Sequence, residues 1–399
     1  MFSKQARLVG MSLVGALTMC GSQETTPTST PTPSPTGTPA DAAPVPLPDG
    51  GVHADGGDSE GGTADGGVPP GAVKFGVFAR LSPGPPAFGM FSSKGVLDST
   101  KTKNILDIGA TWTRGSMSPF FTDQTIYGAG HYDWSAADIV IAWNQSNGIA
   151  PFIGIEAGPV QVNDSPPVFA PHTVDRYPTP AAFATYCGAA AAHFSAALHS
   201  YSIPGNEINT NPQQFPTVTD AASYMSACYA AIKSADPSAF IYGLELNMDG
   251  QAGATAYVKS LLALGCGPGT CYDGISAHLS LRYPIPPAGT PCYPNAGGDY
   301  TVACLADLRA AAGAPVPVMV GETAVTWPGM VPDAATQAIA APVVLKALAA
   351  APGVRYINYA NLDECALYPS GYFMNGCIVD VNNAHVPAWQ GVHDVFAGK

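Results

Sequence analysis

The sequence predicts an α/β fold, a (β/α)8 TIM barrel over residues 72–399, preceded by an export signal and a linker. Two observations carry this. Eight short runs rich in strand formers alternate with Ala-rich or amphipathic stretches, the layout of a parallel sheet covered by helices. The count of eight and the length of the region suit a barrel with a few enlarged loops. An open doubly wound sheet is the alternative. It normally carries a Gly-rich phosphate turn after its first strand, and GVFARLSPG at that place is not one.

The strand candidates, in order, are Val73–Ala79, Ala110–Gly115, Ile149–Ile155, Ser202–Ile208, Ala239–Leu246, Tyr272–Leu279, Val316–Glu322 and Val354–Ala360. Most are bounded by Gly, Pro, Asn or Asp. The clearest helical stretches between them are Ser135–Gly148, Pro180–Tyr201 and Asp333–Ala350.

Residues 1–20 read as a signal. Lys4 and Arg7 precede an apolar run, Leu8–Met19, that stops at Cys20. The LTMC run resembles the lipobox of bacterial lipoproteins, which implies a lipid anchor at Cys20; an ordinary cleaved signal is the alternative. Both readings export the protein to the outer cell surface or beyond. Residues 21–71 read as a linker. TTPTSTPTPSPTGTP favours extended conformations, DGG recurs at Asp49, Asp55 and Asp65, and almost no large apolar residue is present to bury a core.

The net charge is −13 with only 16 Lys and Arg, a poor basis for neutralising phosphates, so no nucleic-acid partner is expected. No apolar run reaches the ~18 residues of a membrane-spanning helix. A monomer is expected. Setting Cys20 aside leaves eight Cys, an even number. Proximity favours Cys266–Cys271, Cys292–Cys304 and Cys365–Cys377, with Cys187–Cys228 remaining. Disulfides suit an exported chain, whereas a metal site would want CxxC pairs or clustered His, which are absent.

Barrel chemistry sits at the carboxyl ends of the strands. The polar residues there are Arg114, Glu156, Asn206, Glu207, Glu245, Asn247, His278, Glu322, Asn358, Tyr359 and Asn361. The set is rich in carboxylates. It lacks a metallohydrolase's His cluster, and no GxSxG supplies a serine nucleophile. No metal or other cofactor is expected. Paired carboxylates are what glycoside hydrolysis needs, one as proton donor and one as nucleophile or activator of water. A carbohydrate substrate follows.

Four motifs carry a resemblance. PGNEIN (Pro204–Asn209) resembles the Asn-Glu signature on strand four of clan A glycoside hydrolases, and VMVGET (Val318–Thr323) resembles their nucleophile strand. ATWTRG resembles their second strand, whose Arg supports the nucleophile, and ISAHLS (Ile275–Ser280) resembles their His-bearing sixth strand. The resemblance implies Glu207 as acid/base, Glu322 as nucleophile, Asn206 on a sugar hydroxyl, and Arg114 and His278 in the site. Many members carry a Trp at the end of strand eight as the floor of a sugar subsite. Here Tyr359 and Asn361 are the candidates. The resemblance predicts a retaining glycosidase with its carboxyls about 5–5.5 Å apart. The Glu207 pKa is expected to be raised by burial and by the charge of Glu322.

Other readings stand beside these. Glu156 and Glu245 could rival the pair or bind hydroxyls. Arg114 could serve a structural salt bridge, and His278 could be a satisfied core histidine. Trp112 lies inside a strand and reads as core. Trp327 lies five residues after Glu322 in a Pro/Gly-bearing loop and suits a sugar-stacking platform. An inactive carbohydrate-binding surface lipoprotein on the same scaffold is the alternative to an enzyme.

Overall fold

The computed structural model describes residues 73–78, 97–117, 132, 134–157, 178–210, 215–248, 253–279, 281, 283–285, 302–325, 331–360, 362, 377–380 and 384–399. The signal, Cys20 and the linker lie outside them. Eight parallel strands close into a barrel in sequence order. They are β1 (Lys74–Phe78), β2 (Trp112–Met117), β3 (Ala150–Ile155), β4 (Ser200–Ile203), β5 (Phe240–Asn247), β6 (Gly274–His278), β7 (Val318–Thr323) and β8 (Val354–Tyr359). Eight helices are described between and after them: α1 (Ser99–Asp107), α2 (Ser135–Ser146), α3 (Pro180–Phe194), α4 (Val218–Ala235), α5 (Gly253–Ala263), α6 (Ala303–Ala311), α7 (Ala334–Ala349) and α8 (Ala388–Phe396). This is the (β/α)8 barrel that the alternation predicts.

Side-chain oxygens start four of these helices by taking their first free N–H groups. Asp98 accepts from Thr100 and Lys101 at α1, and Thr179 accepts from Ala182 at α3. Thr217 and Asp220 form a reciprocal capping box at α4, and Asp333 accepts from Thr336 at α7. Two boundaries differ from the sequence reading. Helix α3 stops at Phe194, and β4 runs only from Ser200 to Ile203. The HFSAALHSYS run has no Gly or Pro to signal the stop. Pro204, with no N–H for the ladder, ends the strand. Asn206 and Glu207 therefore stand in a turn beyond β4, closed by Thr210 N–H donating to the Glu207 carbonyl at 2.9 Å.

Alternation divides the strands between two cores. The outward residues pack under the helices in one continuous apolar layer. The inward residues Trp112, Phe152, Tyr242, Met319 and Tyr356 form a separate plug in the barrel's lower half. Trp112 meets Phe152 and Tyr356 edge-on at 5.5 and 5.1 Å. Its indole N–H donates to the Lys74 carbonyl at 3.1 Å. Gly76 is what lets the indole in, because a Cβ there would sit 2.5 Å from it. Trp112 is core, as its place in a strand suggested.

Cys187–Cys228 ties α3 to α4, and Cys266–Cys271 closes the loop after α5. Both pairings match the sequence reading. Cys304 and Cys377 are also disulfide-bonded, and the partners expected for them, Cys292 and Cys365, lie outside the described residues. Among the described residues no helix is long and apolar enough to cross a membrane.

Candidate active site

Above the plug, the next inward positions are polar, and they assemble around a buried Arg–Glu pair. Arg114 follows Trp112 on the inner face of β2 and is 1% exposed. Its Nη2 lies 3.0 Å from Glu245 Oε2, and its Nη1 lies 3.1 Å from Glu322 Oε1. Nη1 also donates to the Gly321 carbonyl at 3.2 Å, which Asn358 Nδ2 reaches at 2.8 Å. Burial works against the Arg114 charge. The charges of Glu245, Glu322 and Glu156 more than restore it and hold its pKa above the usual value.

Glu245 reaches this position through a bulge. The pairing of β5 with β6 shifts register between Gly243 and Leu246, and Leu244 and Glu245 both take positive φ, 87° and 38°. Simple alternation from the inward Tyr242 would turn Leu244 inward and Glu245 out to the helices. The extra residue reverses the order, so Leu244 joins the outer apolar layer and Glu245 enters the barrel. Glu245 Oε2 then accepts from the Ser276 hydroxyl at 2.8 Å and from His278 Nε2 at 2.9 Å, besides pairing with Arg114. Burial alone would raise its pKa; Arg114 and His278 overcome this and hold it at about 2.

A second irregularity frees Glu322. Register shifts flank it in the pairings of β7 with both neighbours. Gly321 keeps the inward position, where a Cβ would lie 2.6 Å from Ser276 Oγ and 2.8 Å from Glu245 Oε2. Glu322 stands at the rim with its side chain 29% exposed.

His278, on the inner face at the end of β6, joins the two levels. Its Nδ1 lies 3.3 Å from Glu207 Oε1 and 3.5 Å from Glu322 Oε2. Burial disfavours its charge. The Glu322 charge, with hydrogen bonds to Glu207 and Glu245, outweighs burial and pushes its pKa up to about 10. Glu207, in the turn beyond β4 with φ 53°, behaves opposite to expectation. Burial raises its pKa, but the hydrogen bond and charge of His278, an Asn247 hydrogen bond and the Arg114 charge bring it below the ordinary carboxylate value. The cause is His278 sitting between two carboxylates, a juxtaposition across three strands that strand-by-strand reading does not reveal.

The structure brings Arg114, Glu207, His278 and Glu322 together. Asn206 stands beside them, partly exposed, immediately before Glu207. Glu156 lies partly buried just past β3, near enough for its charge to act on Arg114. Tyr359 is apart. It is 1% exposed in the outer apolar layer, and its inward neighbour Asn358 holds the position facing the site. Parity on β8 thus removes Tyr359 as a sugar floor. Trp327 and Asn361 lie outside the described residues. Sequence reasoning passed over Asn209 inside the PGNEIN motif. Its amide forms two 2.8 Å bonds to the backbone of Asn247, clasping the Glu207 turn to the end of β5. An Asn two residues past a strand-end Glu is the signal that could have found it.

One oxygen each of Glu207 and Glu322, with His278 Nδ1, lie within 4.8 Å of one another. Distance alone would let these three atoms share a cation. A cation there would have to displace the proton that the surrounding carboxylates favour on the ring.

The fold and the site define a class: a (β/α)8 barrel with two rim carboxylates, both beside Nδ1 of one histidine, above a buried Arg–Glu pair. No family model and no curated protein matches the chain. Solved structures of similar fold include a family 39 glycoside hydrolase from Bacteroides cellulosilyticus WH2, at 15% identity and TM-score 0.56 over 81% of this chain and 63% of that one. A family 39 enzyme from Xanthomonas axonopodis pv. citri gives 16% and 0.53 over 82% and 66%. A psychrophilic family 10 endo-β-1,4-xylanase gives 13% and 0.53 over 81% and 96%. The chain spans about two thirds of the length of the two family 39 enzymes. At these identities the likeness is one of fold.

Proposed function

We propose that the chain is a retaining glycoside hydrolase acting on a poly- or oligosaccharide, with Glu322 as nucleophile and Glu207 as acid/base. The observation that carries this is the spacing at the rim: one oxygen of Glu207, in the turn beyond β4, and one of Glu322, at the end of β7, lie within 4.8 Å of each other. An approach this close supports the narrowly spaced carboxyl pair of retaining enzymes, ~5–5.5 Å, over the ~6.5–9.5 Å of inverting ones. The fold neighbours, being glycoside hydrolases, agree with this reading.

In this mechanism Glu322, fixed by Arg114, attacks the anomeric carbon while Glu207 protonates the leaving oxygen. Glu207 then accepts a proton from the water that releases the sugar. Asn206 is assigned to a sugar hydroxyl. The chain is further proposed to be exported and anchored through Cys20, so that Cys20→Ser would move it from the membrane fraction to the soluble one.

Incubation with an activated 2-fluoro glycoside, followed by peptide mass spectrometry, tests the assignment. Xylosyl and glucosyl forms are the first to try. A sugar adduct on Glu322 is expected; an adduct on Glu156 or Glu245 would reassign the nucleophile. Glu322→Gln should abolish turnover without unfolding the barrel. Glu207→Gln should slow glycosides with poor leaving groups on the order of 10²–10⁴-fold. The second reading, a carbohydrate-binding protein without turnover, draws on the lowered Glu207 pKa, since an ionised carboxylate accepts hydroxyls rather than donating protons. Sugar binding with no adduct and no turnover on any tested glycoside would select it.

A further inference from the structure

A carboxyl whose pKa is lowered by its neighbours needs a proton source to act as an acid, and His278 touches both rim carboxylates. A neutral imidazole carries one N–H. This ring faces carboxylate oxygens on both sides, Glu245 at 2.9 Å from Nε2, and Glu207 and Glu322 at 3.3 and 3.5 Å from Nδ1. Ionised carboxylates only accept, so both contacts are satisfied only when both ring nitrogens carry hydrogen. Glu245 is the fixed end of this arrangement. It is 1% exposed, set by the β5 bulge, and bound through one oxygen by Arg114, Ser276 and His278.

We propose that Glu245 is a positioning residue that stores the acid's proton on His278, whose Nδ1 passes it to Glu207 Oε1 when a glycoside displaces water from the barrel mouth. This rests on the glycosidase reading above. The balance is closed. The proton leaves Nδ1 for Glu207 Oε1, and the ring stays neutral, with Nε2–H still donated to Glu245. Glu207 gives the proton to the leaving oxygen as that oxygen takes the electron pair of the glycosidic bond and Glu322 bonds the anomeric carbon. In the second half water attacks that carbon, and the Glu322 bond breaks with its electron pair returning to the carboxylate. The water's proton goes to Glu207 and back to Nδ1. The largest influence holding a proton on His278 is the charge of Glu322. That charge disappears as Glu322 forms its ester, in the step that needs the proton. The other charged groups around the ring are Glu207 beyond β4, Glu245 on β5 and Arg114 on β2, with Glu156 past β3 acting on Arg114. Strand β8 contributes the neutral Asn358.

Nitrogen NMR of the full chain labelled in histidine, without substrate, reads the ring directly. Both His278 nitrogens should be protonated at neutral pH and titrate only in the alkaline range. In Glu245→Gln the midpoint should fall by about one pH unit or more, a roughly tenfold weaker hold on the proton. A neutral ring at pH 7 in the native chain overturns the proposal without any variant, so a Glu245→Gln chain that fails to fold does not shelter it. An unchanged midpoint in a folded variant overturns it too. For activity, the alkaline limb of kcat/KM for a poor leaving group should move down with the ring midpoint in Glu245→Gln. For an activated aryl glycoside, which needs no acid, it should stay. An active enzyme whose limb ignores Glu245→Gln refutes proton storage and leaves the glycosidase reading intact. A chain that cleaves no glycoside refutes that reading, and the transfer step with it, whatever the ring titration gives.

Discussion

Glu245, Arg114 and His278 form a charged unit in a nearly dry layer, and a pH profile of stability should expose it. A carboxylate held at about 2 contributes fully above its unfolded value of ~4.3 and loses that contribution as pH falls toward 2. A histidine held at about 10 contributes fully below its unfolded value of ~6.5 and loses it as pH rises toward 10. Thermal denaturation should therefore show a plateau between pH ~4.5 and ~6.5 and a decline on both sides. A melting temperature that stays level from pH 6.5 to 10 would contradict the charged ring. Removing the carboxylate outright with Glu245→Ala strands two buried cations and should cost about 3–5 kcal/mol by chemical denaturation. Gly321→Ala should be disproportionately harmful for one methyl group. Its Cβ would enter within 2.6–2.8 Å of Ser276 and Glu245, so about 1–3 kcal/mol and most of the turnover should be lost together.

Elements divide into those whose sequence carries their limits and those whose limits come from their neighbours. The starts of α1, α4 and α7 are written in Asp98, Thr217 with Asp220, and Asp333, each a side chain that caps its own helix. Thr217→Ala should accordingly cost ~1 kcal/mol in an unfolding titration, with little effect on the site. The end of α3 is not written this way. Its Ala-rich run is apolar on every side, and only the need to begin β4 at Ser200 stops it. The β5 bulge is a stronger case. FIYGLELN reads as a regular strand, and strict alternation from the inward Tyr242 would turn Glu245 to the helix side. Nothing local announces the extra residue, because Glu245 is drawn inward by Arg114, Ser276 and His278 from β2 and β6. The same limit made Tyr359 look like a site residue when Asn358 holds the inward place. Sequence could name the residue types at strand ends; it could not say which way each one turns.

At the scale of the molecule, the barrel was legible because eight β/α units repeat one physical pattern, apolar strands under amphipathic helices. Glu207 and Glu322 could be singled out as candidates because the fold puts chemistry at strand ends, where Glu156 and Glu245 are the other carboxylates. The arrangement that charges His278 and lowers the Glu207 pKa was not legible, since it exists only once four strands have closed. The disulfide between α3 and α4 acts at this scale as well. It links residues 41 apart in sequence, and its reduction should lower stability by about 2–4 kcal/mol, read as a drop in melting temperature with reductant. The linker 21–71 offers almost no apolar surface to bury and the run before it reads as a signal, so a chain starting at Ala72 should melt at the same temperature and turn over at the same rate as the longer one.

The aromatic plug has a consequence for isotope traffic. Trp112, Phe152, Met319, Tyr242 and Tyr356 are all 6% exposed or less and fill the barrel beneath Arg114. Among the described residues this plug closes the approach to the His278 ring from below and leaves the rim, past Glu207 and Glu322, as the way in for solvent. A sugar seated there would stop that passage. Deuterium from the surrounding water should enter the ring N–H groups readily in the free protein and slowly with ligand bound. Replacing Trp112 with a small residue should open a second route from below and abolish the difference.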